Sequence, residues 1–222
     1  MSRSTTYIAN FKTYMSHKSH VAISILLILH IVGIIGLATS FRGLVQPLTP
    51  VNLLISAALL FLNHGRWRTP HIVAVVVAFL VGFFIEVVGV HTGVVFGQYW
   101  YGPTLGPKLF QVPLMIGVNW AILVYASGIL VSTFRLPYLA RALAAALIMV
   151  GLDYLIEPMA MVLDFWQWHR ETIPLRNYVG WFATAFALQL LFHKLVPPTN
   201  NKVGPALLAI QAAFFLLLNL LL

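Results

Sequence analysis

Three acidic residues lie in segments that otherwise consist mainly of hydrocarbon side chains. Glu86 is part of "GFFIEVVGV", and Asp153 and Glu157 stand four residues apart in "GLDYLIEPM". A spacing of four places two side chains on the same face of a helix, about one turn apart. A carboxylate at the centre of a membrane helix costs about 2.5–3.5 kcal/mol on insertion scales, so each acid is a candidate functional group.

Carboxyl groups buried beside one another can donate protons near neutral pH, because burial and a neighbouring negative charge both favour the neutral acid. Proton transfer to a trisubstituted isoprenoid double bond produces a tertiary carbocation, which carboxylate charge and aromatic faces stabilise. A second acid can then hold and deprotonate an attacking water. We therefore predict that Asp153 protonates an alkene and that Glu157 orients or activates water, two roles that are interchangeable. Glu86 is predicted to tune these acids or to stabilise the cation.

Aromatic residues cluster in two short stretches close to these acids. Tyr99 and Trp100 lie in "FGQYWYGP", and Trp166 and Trp168 lie in "FWQWH". An aromatic face stabilises a cation by about 0.5–2 kcal/mol. We predict that these four side chains wall a substrate site, with the aromatic belt of a membrane interface as the alternative explanation.

Three further polar residues are candidates for binding substrate or water. We expect His91 or Asn119 to anchor an acid or a water, and we place Asp164 with the substrate-binding residues because it lies beside the second aromatic stretch. The alternative is that the acids form ordinary hydrogen bonds or ion pairs between helices, for instance with Arg170.

Glycines and a proline shape the two segments that carry the acids. Gly82 and Gly89 share a helix face with Glu86, so another helix or a flat ligand can approach that face closely. Pro158 directly follows Glu157, lacks a backbone donor and crowds the preceding turn, so we expect the helix to kink or end there.

These residues belong to a chain with the composition of a polytopic membrane protein. Of its 222 residues, 60% are hydrophobic and 8% are charged, and a helix needs about 20 apolar residues to cross a bilayer. The pattern predicts an all-α bundle of about seven transmembrane helices, in which residues 1–20 form a polar cytoplasmic tail and residues 21–222 a single membrane domain. The segment near 48–63 is shorter, which leaves open whether it fully spans. The predicted segments lie near 21–40, 48–63, 71–96, 110–133, 138–160, 178–196 and 204–222.

Basic residues between these segments predict the orientation of the bundle. With the N-terminus inside, nine Lys and Arg fall on the inner side and four on the outer side, which favours an N-in, C-out topology. If the segment 48–63 were re-entrant, every later loop would change sides and the bias would weaken. A rise of about 1.5 Å per residue places Glu86 and Asp153 at a similar depth, in the outer half. We expect an integral protein of a prokaryotic cytoplasmic membrane. The inner residues are Arg3, Lys12, Lys18, Arg66, Arg68, Arg135, Arg141, Lys194 and Lys202, and the outer ones are Arg42, Lys108, Arg170 and Arg176.

The residue types present exclude several kinds of site. The absence of cysteine excludes disulfides, thiolate nucleophiles and cysteine-ligated metal centres. All lysines lie in tails or loops, which excludes a retinal Schiff base. We predict no cofactor and no metal, since only His91, Asp153 and Glu157 are plausible ligands. The net charge of +8 comes from scattered residues, so we expect no nucleic-acid partner.

Three stretches that contain these residues resemble a known family. The stretches "EVVGVHTGVVFGQYWY" (86–101), "DYLIEPMAMVLDFWQW" (153–168) and "IPLRNYVGWF" (173–182) are similar to CruF-type carotenoid 1,2-hydratases, a group of carotenoid biosynthesis membrane proteins, and the similarity spans roughly residues 50–195. The resemblance implies addition of water to the terminal C1–C2 double bond of an acyclic carotenoid ψ-end, without a redox cofactor.

The resemblance also carries expectations about the site and its partners. It implies that Glu86, Asp153 and Glu157 are the place to look for catalysis, but it does not imply which of them donates the proton. It implies a carotenoid substrate such as lycopene or γ-carotene, met in a lipid bilayer together with water. Whether other carotenoid enzymes are partners stays open, as does the hydration of one or both ends.

Other functions remain as alternatives. A lycopene-cyclase-like enzyme begins with the same protonation but ends in ring closure, and a prenyl-diphosphate-processing membrane enzyme would use Asp153 and Glu157 to hold magnesium. A non-enzymatic carotenoid-binding protein would use the acids only as structural contacts. The mass of the product separates these classes, because hydration adds the mass of water and cyclisation adds nothing.

Overall fold

The computed structural model describes residues 3–197 and 199–222, and it describes side chains for residues 17–170, 172–197 and 199–222. The side chains of Arg3 and Lys12, which enter the predicted charge bias, therefore lie outside the described residues. Most of the described backbone is helical, as expected of apolar segments that must satisfy their own backbone hydrogen bonds in lipid. The α-helices are α1 (Arg3–Leu37), α2 (Arg42–Val45), α3 (Thr49–Leu62), α4 (Thr69–Thr92), α5 (Leu114–Ser132), α6 (Tyr138–Val162), α7 (Leu175–Leu195) and α8 (Val203–Leu221). The strands are β1 (Tyr99–Tyr101), β2 (Lys108–Leu109), β3 (Val112–Pro113) and β4 (Trp166–Trp168).

The predicted all-α, polytopic membrane bundle is confirmed. Six helical segments of the described chain are long and apolar enough to cross a membrane. The short segment that was predicted near 48–63 belongs to one of them, because α2, a 3₁₀ turn and α3 follow one another without a break over Arg42–Leu62. The predicted segment near 178–196 is not one of these six; it forms α7, which is less apolar because it carries Asn177, Gln189 and Lys194. Asn177 and Gln189 are buried, so α7 turns these two amides toward the other helices.

The N-terminal segment is helical from its first described residue. Helix α1 begins at Arg3, so the backbone of the predicted polar tail continues into the first membrane segment. The cytoplasmic location of residues 1–20 and the grouping of residues 21–222 as one domain stay predictions.

Two predicted helix boundaries are corrected by the conformation of the connection between α4 and α5. Helix α4 ends at Thr92 instead of near residue 96, because Gly93 adopts a left-handed conformation with φ of +63°. Helix α5 begins at Leu114 instead of near residue 110, because Phe110 and Gln111 also have positive φ, which a right-handed helix does not contain. The connection is therefore long enough to hold three short strands.

The C-terminal end of α6 extends beyond its proline. Pro158 lies inside the helix, which continues to Val162, so the helix does not end at the proline. The carbonyl groups at this end are satisfied by side chains from the α2 region: Arg42 donates to the Val162 carbonyl, and the Gln46 amide donates to the Leu163 carbonyl at 2.7 Å. These bonds hold the segment before α3 against the end of the helix that carries two of the acids.

Helix α5 lies at the centre of the bundle. Thirteen of its 19 residues are buried, and it packs against α3, α4, α6, α7 and α8. Its approach to α4 depends on Gly82, since a side-chain carbon at that position would overlap the ring of Trp120. The prediction that the glycine face of α4 admits another helix is confirmed at this position.

Strands β1 and β4 join the chain after α4 to the chain after α6. They pair antiparallel, with Tyr99 opposite Trp168 and Tyr101 opposite Trp166. Successive side chains of a strand point to opposite faces, so Tyr99 and Tyr101 are buried while Trp100 is 53% exposed. We call the end of the bundle formed by residues 97–113 and 163–174 the strand end. The pairing brings together the ends of the two acid-bearing helices.

Candidate active site

Glu86 is buried at the strand end of α4 and accepts hydrogen bonds from three side chains. The hydroxyl groups of Tyr99 and Tyr101 donate to its Oε2 at 2.6 and 2.8 Å, and the indole Nε1 of Trp120 donates to its Oε1 at 3.2 Å. The alternation along β1 supplies the two tyrosines, and the close approach of α4 and α5 at Gly82 supplies the tryptophan. All three partners are donors, so Glu86 is the acceptor in each of these bonds.

The two tyrosines stay protonated over the whole physiological range. Burial, followed by the negative charge of Glu86, raises the pKa of the Tyr99 hydroxyl well above its usual value. The same two causes, in the same order, raise the pKa of the Tyr101 hydroxyl well above its usual value. Both groups therefore remain fixed hydrogen-bond donors to Glu86.

Glu157 is held by a second set of neutral donors. The indole groups of Trp166 and Trp168 donate to its Oε2 at 3.0 and 2.7 Å. The amide of Asn177, in the first turn of α7, donates to its Oε1 at 2.8 Å. Strand β4 thus supplies two side chains to Glu157, as β1 supplies two to Glu86.

Asp153 lies one turn behind Glu157 and is joined to it through Asn177. The Asn177 amide nitrogen carries two protons, and it donates to Asp153 Oδ2 at 3.0 Å as well as to Glu157. Asp153 is 0% exposed, and its Oδ1 has no hydrogen-bond partner among the described residues. The single amide of Asn177 therefore bridges the two carboxyl groups.

The two carboxyl centres are joined by an aromatic wall. The rings of Tyr99 and Trp168 have centroids 5.0 Å apart, and those of Tyr101 and Trp166 have centroids 6.0 Å apart. Each pair consists of one ring that binds Glu86 and one that binds Glu157. The structure thus brings the three predicted acids to one end of the bundle, around one cluster of aromatic side chains.

Two neighbouring cavities lie at this cluster. A small cavity of about 20 Å³, here called the acid cavity, is lined by Glu86, Glu157 and Asn177 together with aromatic side chains. It has room for about one water. A larger cavity of about 250 Å³, here called the apolar cavity, is lined mainly by aliphatic and aromatic side chains. Ile116, Asn119 and Trp166 line both cavities.

The other predicted site residues divide into those at the cavities and those away from them. Tyr99, Trp166, Trp168 and Asn119 line the acid cavity. Asn119 lines both cavities, a position from which it could anchor a water. Asp164 lines neither cavity; it has a positive φ and accepts a hydrogen bond from Gln167.

The side chains of His91 and Trp100 point away from the acids, because of the helix period at His91 and the strand alternation at Trp100. His91 follows Glu86 by five residues, which corresponds to about 140° around a helix, and its side chain is exposed. Trp100 lies between the two inward-facing tyrosines of β1, so its side chain is on the outer face of the strand. The structure therefore does not bring these two side chains into contact with the cavities.

Sequence reasoning did not select three residues that contact the acids. Tyr101 could have been found by its two-residue spacing from Tyr99, once a strand is assumed there. Asn177 is the only amide in "IPLRNYVGWF", one of the quoted stretches, and it bonds both Asp153 and Glu157. No sequence pattern marked Trp120, because its contact with Glu86 depends on how α4 and α5 pack.

Comparisons with known proteins identify the family of the chain. Residues 48–222 match the family described as "Carotenoid biosynthesis protein". The chain is 29% identical over 132 residues to bisanhydrobacterioruberin hydratase of Haloarcula japonica, a match that covers 54% of this chain and 43% of the relative's length. No solved structure matches the chain. The resemblance to carotenoid hydratases is thereby confirmed. Because the family match covers most of the chain and includes all three acids, the chain belongs to the carotenoid biosynthesis protein family.

Proposed function

We propose that this protein is a carotenoid hydratase that adds water to the terminal C1–C2 double bond of an acyclic carotenoid by acid catalysis, without a cofactor. The observation that carries the proposal is that the apolar cavity and the acid cavity are neighbours, with Ile116, Asn119 and Trp166 lining both. The similarity to bisanhydrobacterioruberin hydratase supports the type of reaction.

The apolar cavity would hold the end of the substrate. Its walls include Leu29, Leu53, Ile55 and Phe215, which match a hydrocarbon and offer it no competing hydrogen bonds. The chain of the polyene would continue between helices among lipid-like side chains. Its terminal double bond would lie beside Trp166, which also lines the acid cavity.

Glu157 is the proton donor in this proposal. Sequence reasoning assigned that role first to Asp153 and allowed an exchange with Glu157. Glu157 lines the acid cavity, whereas Asp153 lines neither cavity. Asp153 would instead act through Glu157, since the Asn177 amide binds and positions both carboxyl groups. Transfer of this proton to C2 leaves a tertiary cation at C1.

Glu86 would receive the proton of the attacking water. The acid cavity holds about one water between Glu86 and Glu157, and negative charge on Glu86 would stabilise the cation electrostatically. Water forms its C–O bond to C1 and releases a proton to Glu86. Return of that proton to the Asp153 and Glu157 pair restores the site, so one water is added for each double bond.

The test is expression in a lycopene-producing host that is grown in water labelled with heavy oxygen. We expect a pigment heavier than its precursor by one labelled water, and we expect Glu157→Gln and Glu86→Gln each to lower its formation by about 10²-fold or more. Asp164→Asn is the matched control, since Asp164 is an acid at the same end that lines neither cavity. A pigment of unchanged mass but altered structure would replace this proposal by a cyclase.

A further inference from the structure

The apolar cavity is partly open to the surroundings of the protein. Three of the residues that line it are Val32 of α1, Leu48 of the 3₁₀ turn before α3, and Val51 of α3. They are 55%, 55% and 50% exposed, respectively. Side chains that line an open cavity and are also half exposed lie at its mouth, so we call these three residues the rim.

The rim lies within segments that are expected to be surrounded by lipid. Val32 belongs to the segment His17–Leu37, and Leu48 and Val51 belong to the segment Arg42–Leu62, both of which are long and apolar enough to cross a membrane. Val32 stands five residues before the end of α1, which corresponds to about 7.5 Å along the helix axis. None of the described residues that line the cavity is charged. The mouth therefore suits a hydrocarbon chain and offers no partner to a charged headgroup.

The mouth and the reactive end of the cavity are formed by different elements. The rim belongs to α1 and to the segment that leads into α3, whereas the residues shared with the acid cavity belong to α5 and β4. One of these shared residues, Ile116, is buried. The cavity thus extends from a rim that faces lipid to a buried wall beside the acids.

A close contact between α1 and α2 bounds the mouth on the side of the strand end. A side-chain carbon at Gly36 would overlap the side chain of Val45, so the two helices touch at this position. Val45 and the neighbouring Leu37 also line the cavity. The mouth therefore lies between α1 and the start of α3, farther from the strand end than this contact.

The apolar cavity is too small to enclose a whole carotenoid. Pockets that bury a drug-sized ligand have volumes of about 300–1,000 Å³, and this cavity has about 250 Å³. A long polyene whose end lies at the acid cavity must therefore extend past the rim into the bilayer. The rim would contact the substrate during the reaction as well as during entry.

We propose that the mouth between α1 and α3 is a lateral portal, through which the hydrocarbon chain of the substrate enters from the bilayer and in which it stays during catalysis. This inference rests on the proposed function for the identity of the chain. Val32, Leu48 and Val51 are then specificity-determining residues, because the space between their side chains decides which chains pass.

The experiment narrows the rim with tryptophan and compares each variant with a matched one outside the cavity. Val32→Trp is paired with Ile31→Trp, and Val51→Trp with Leu54→Trp; all four positions are half exposed, and neither Ile31 nor Leu54 lines the cavity. We expect the two rim variants to lower kcat/KM for the carotenoid in lipid vesicles by about tenfold or more, and the two control variants to stay near wild type. Val32→Ala and Val51→Ala, which widen the rim, should keep the wild-type value or exceed it.

The melting temperature in detergent tests whether the rim variants act through the fold. All four positions face the surroundings, so we expect each rim variant to melt at the same temperature as its control. A lower melting temperature in Val32→Trp and Val51→Trp alone would contradict the placement of these side chains at an open mouth.

Pigment binding without turnover separates this inference from the proposed function. In a Glu157→Gln background, the carotenoid retained on purification should fall with the rim tryptophans and should not fall with Ile31→Trp or Leu54→Trp. If wild type hydrates no pigment but this pattern of retention is present, the proposed function fails and the portal stands. If the rim variants match their controls in both turnover and retention, the mouth holds only lipid and the portal is wrong.

Discussion

At the scale of single residues, the site consists of carboxyl groups whose partners are all neutral. Glu86 and Glu157 each accept three hydrogen bonds from phenol, indole or amide groups. Neutral donors orient a carboxyl group and leave its charge in place. A lysine or arginine would cancel that charge. The proposed exchange of protons with a substrate and with water depends on this arrangement.

The acids were found from the sequence because a charged residue within an apolar segment is conspicuous. Their partners were not all found, since an indole or amide in a membrane helix is common and its contact depends on packing. Asn177 illustrates the difference: it stands 20 residues beyond Glu157 in the chain, and only the packing of α7 on α6 makes the two neighbours.

The amide of Asn177, which bonds both Asp153 and Glu157, leads to a prediction about turnover. Asn177→Leu removes the donor to both Asp153 and Glu157 while keeping a side chain of similar size, so we expect kcat to fall by about 10²-fold, with a smaller change in KM. Asn177→Asp, which adds a third carboxyl group to the pair, should be at least as damaging. Asn200→Leu serves as the control because that amide is exposed and lies outside both cavities. Hydration assays on purified protein decide the matter, and near-normal turnover by Asn177→Leu would show that the shared amide has no catalytic importance.

At the scale of helices and strands, the site depends on one non-local strand pair. Apolar segments and the turns between them predicted the helices, because a long apolar stretch in lipid must satisfy its own backbone hydrogen bonds, which a helix does. The pairing of Tyr99 with Trp168 joins residues 69 positions apart, and no local pattern specifies that register. The aromatic stretches were therefore recognised while their partners, and the outward direction of Trp100, were not.

Gly82 supports a prediction about the packing of α4 on α5. In Gly82→Ala the new methyl group overlaps the Trp120 ring, which must move and would lose its bond to Glu86. We expect a destabilisation of about 1–3 kcal/mol, measured as a lower melting temperature in detergent, together with a loss of activity in the fraction that remains folded. Gly151→Ala is the matched control, since Gly151 also lies within a helix but has open space around it. Equal melting temperatures for the two variants would contradict this account of the helix contact.

The end of the bundle opposite the strands offers a prediction about pH. Burial, and after it the charge of His71, lowers the pKa of His64, whose Nδ1 lies 2.5 Å from the Tyr125 hydroxyl. The unfolded chain therefore binds a proton at His64 before the folded protein does, so this contribution to stability is complete above about pH 6.5 and falls as the pH drops below it. We expect the melting temperature in detergent to fall between pH 7.5 and pH 5.5, and to fall less in His64→Gln. An identical decline in both proteins would assign the pH dependence to other groups.

At the scale of the whole molecule, the position of the site is tied to the orientation of the bundle. The three acids, the aromatic wall and both cavities lie in the half of the molecule nearer the strand end. The bias of basic residues predicts that this end faces outward, away from the cytoplasm. In the proposed function, water would then enter from the outer side and the carotenoid would enter from the bilayer.

Orientation is testable because the chain contains no cysteine, so single introduced cysteines report without background. We expect cysteines at Lys108 and Arg170 to react with a membrane-impermeant maleimide in intact cells, and those at Arg66 and Lys202 to react only after permeabilisation. All four side chains are exposed, and the cysteine-free parent is the control. The opposite pattern would place the acids near the cytoplasm. Reaction of Arg170→Cys and Lys202→Cys on the same side would mean that α7, the least apolar of the predicted spans, does not cross the membrane.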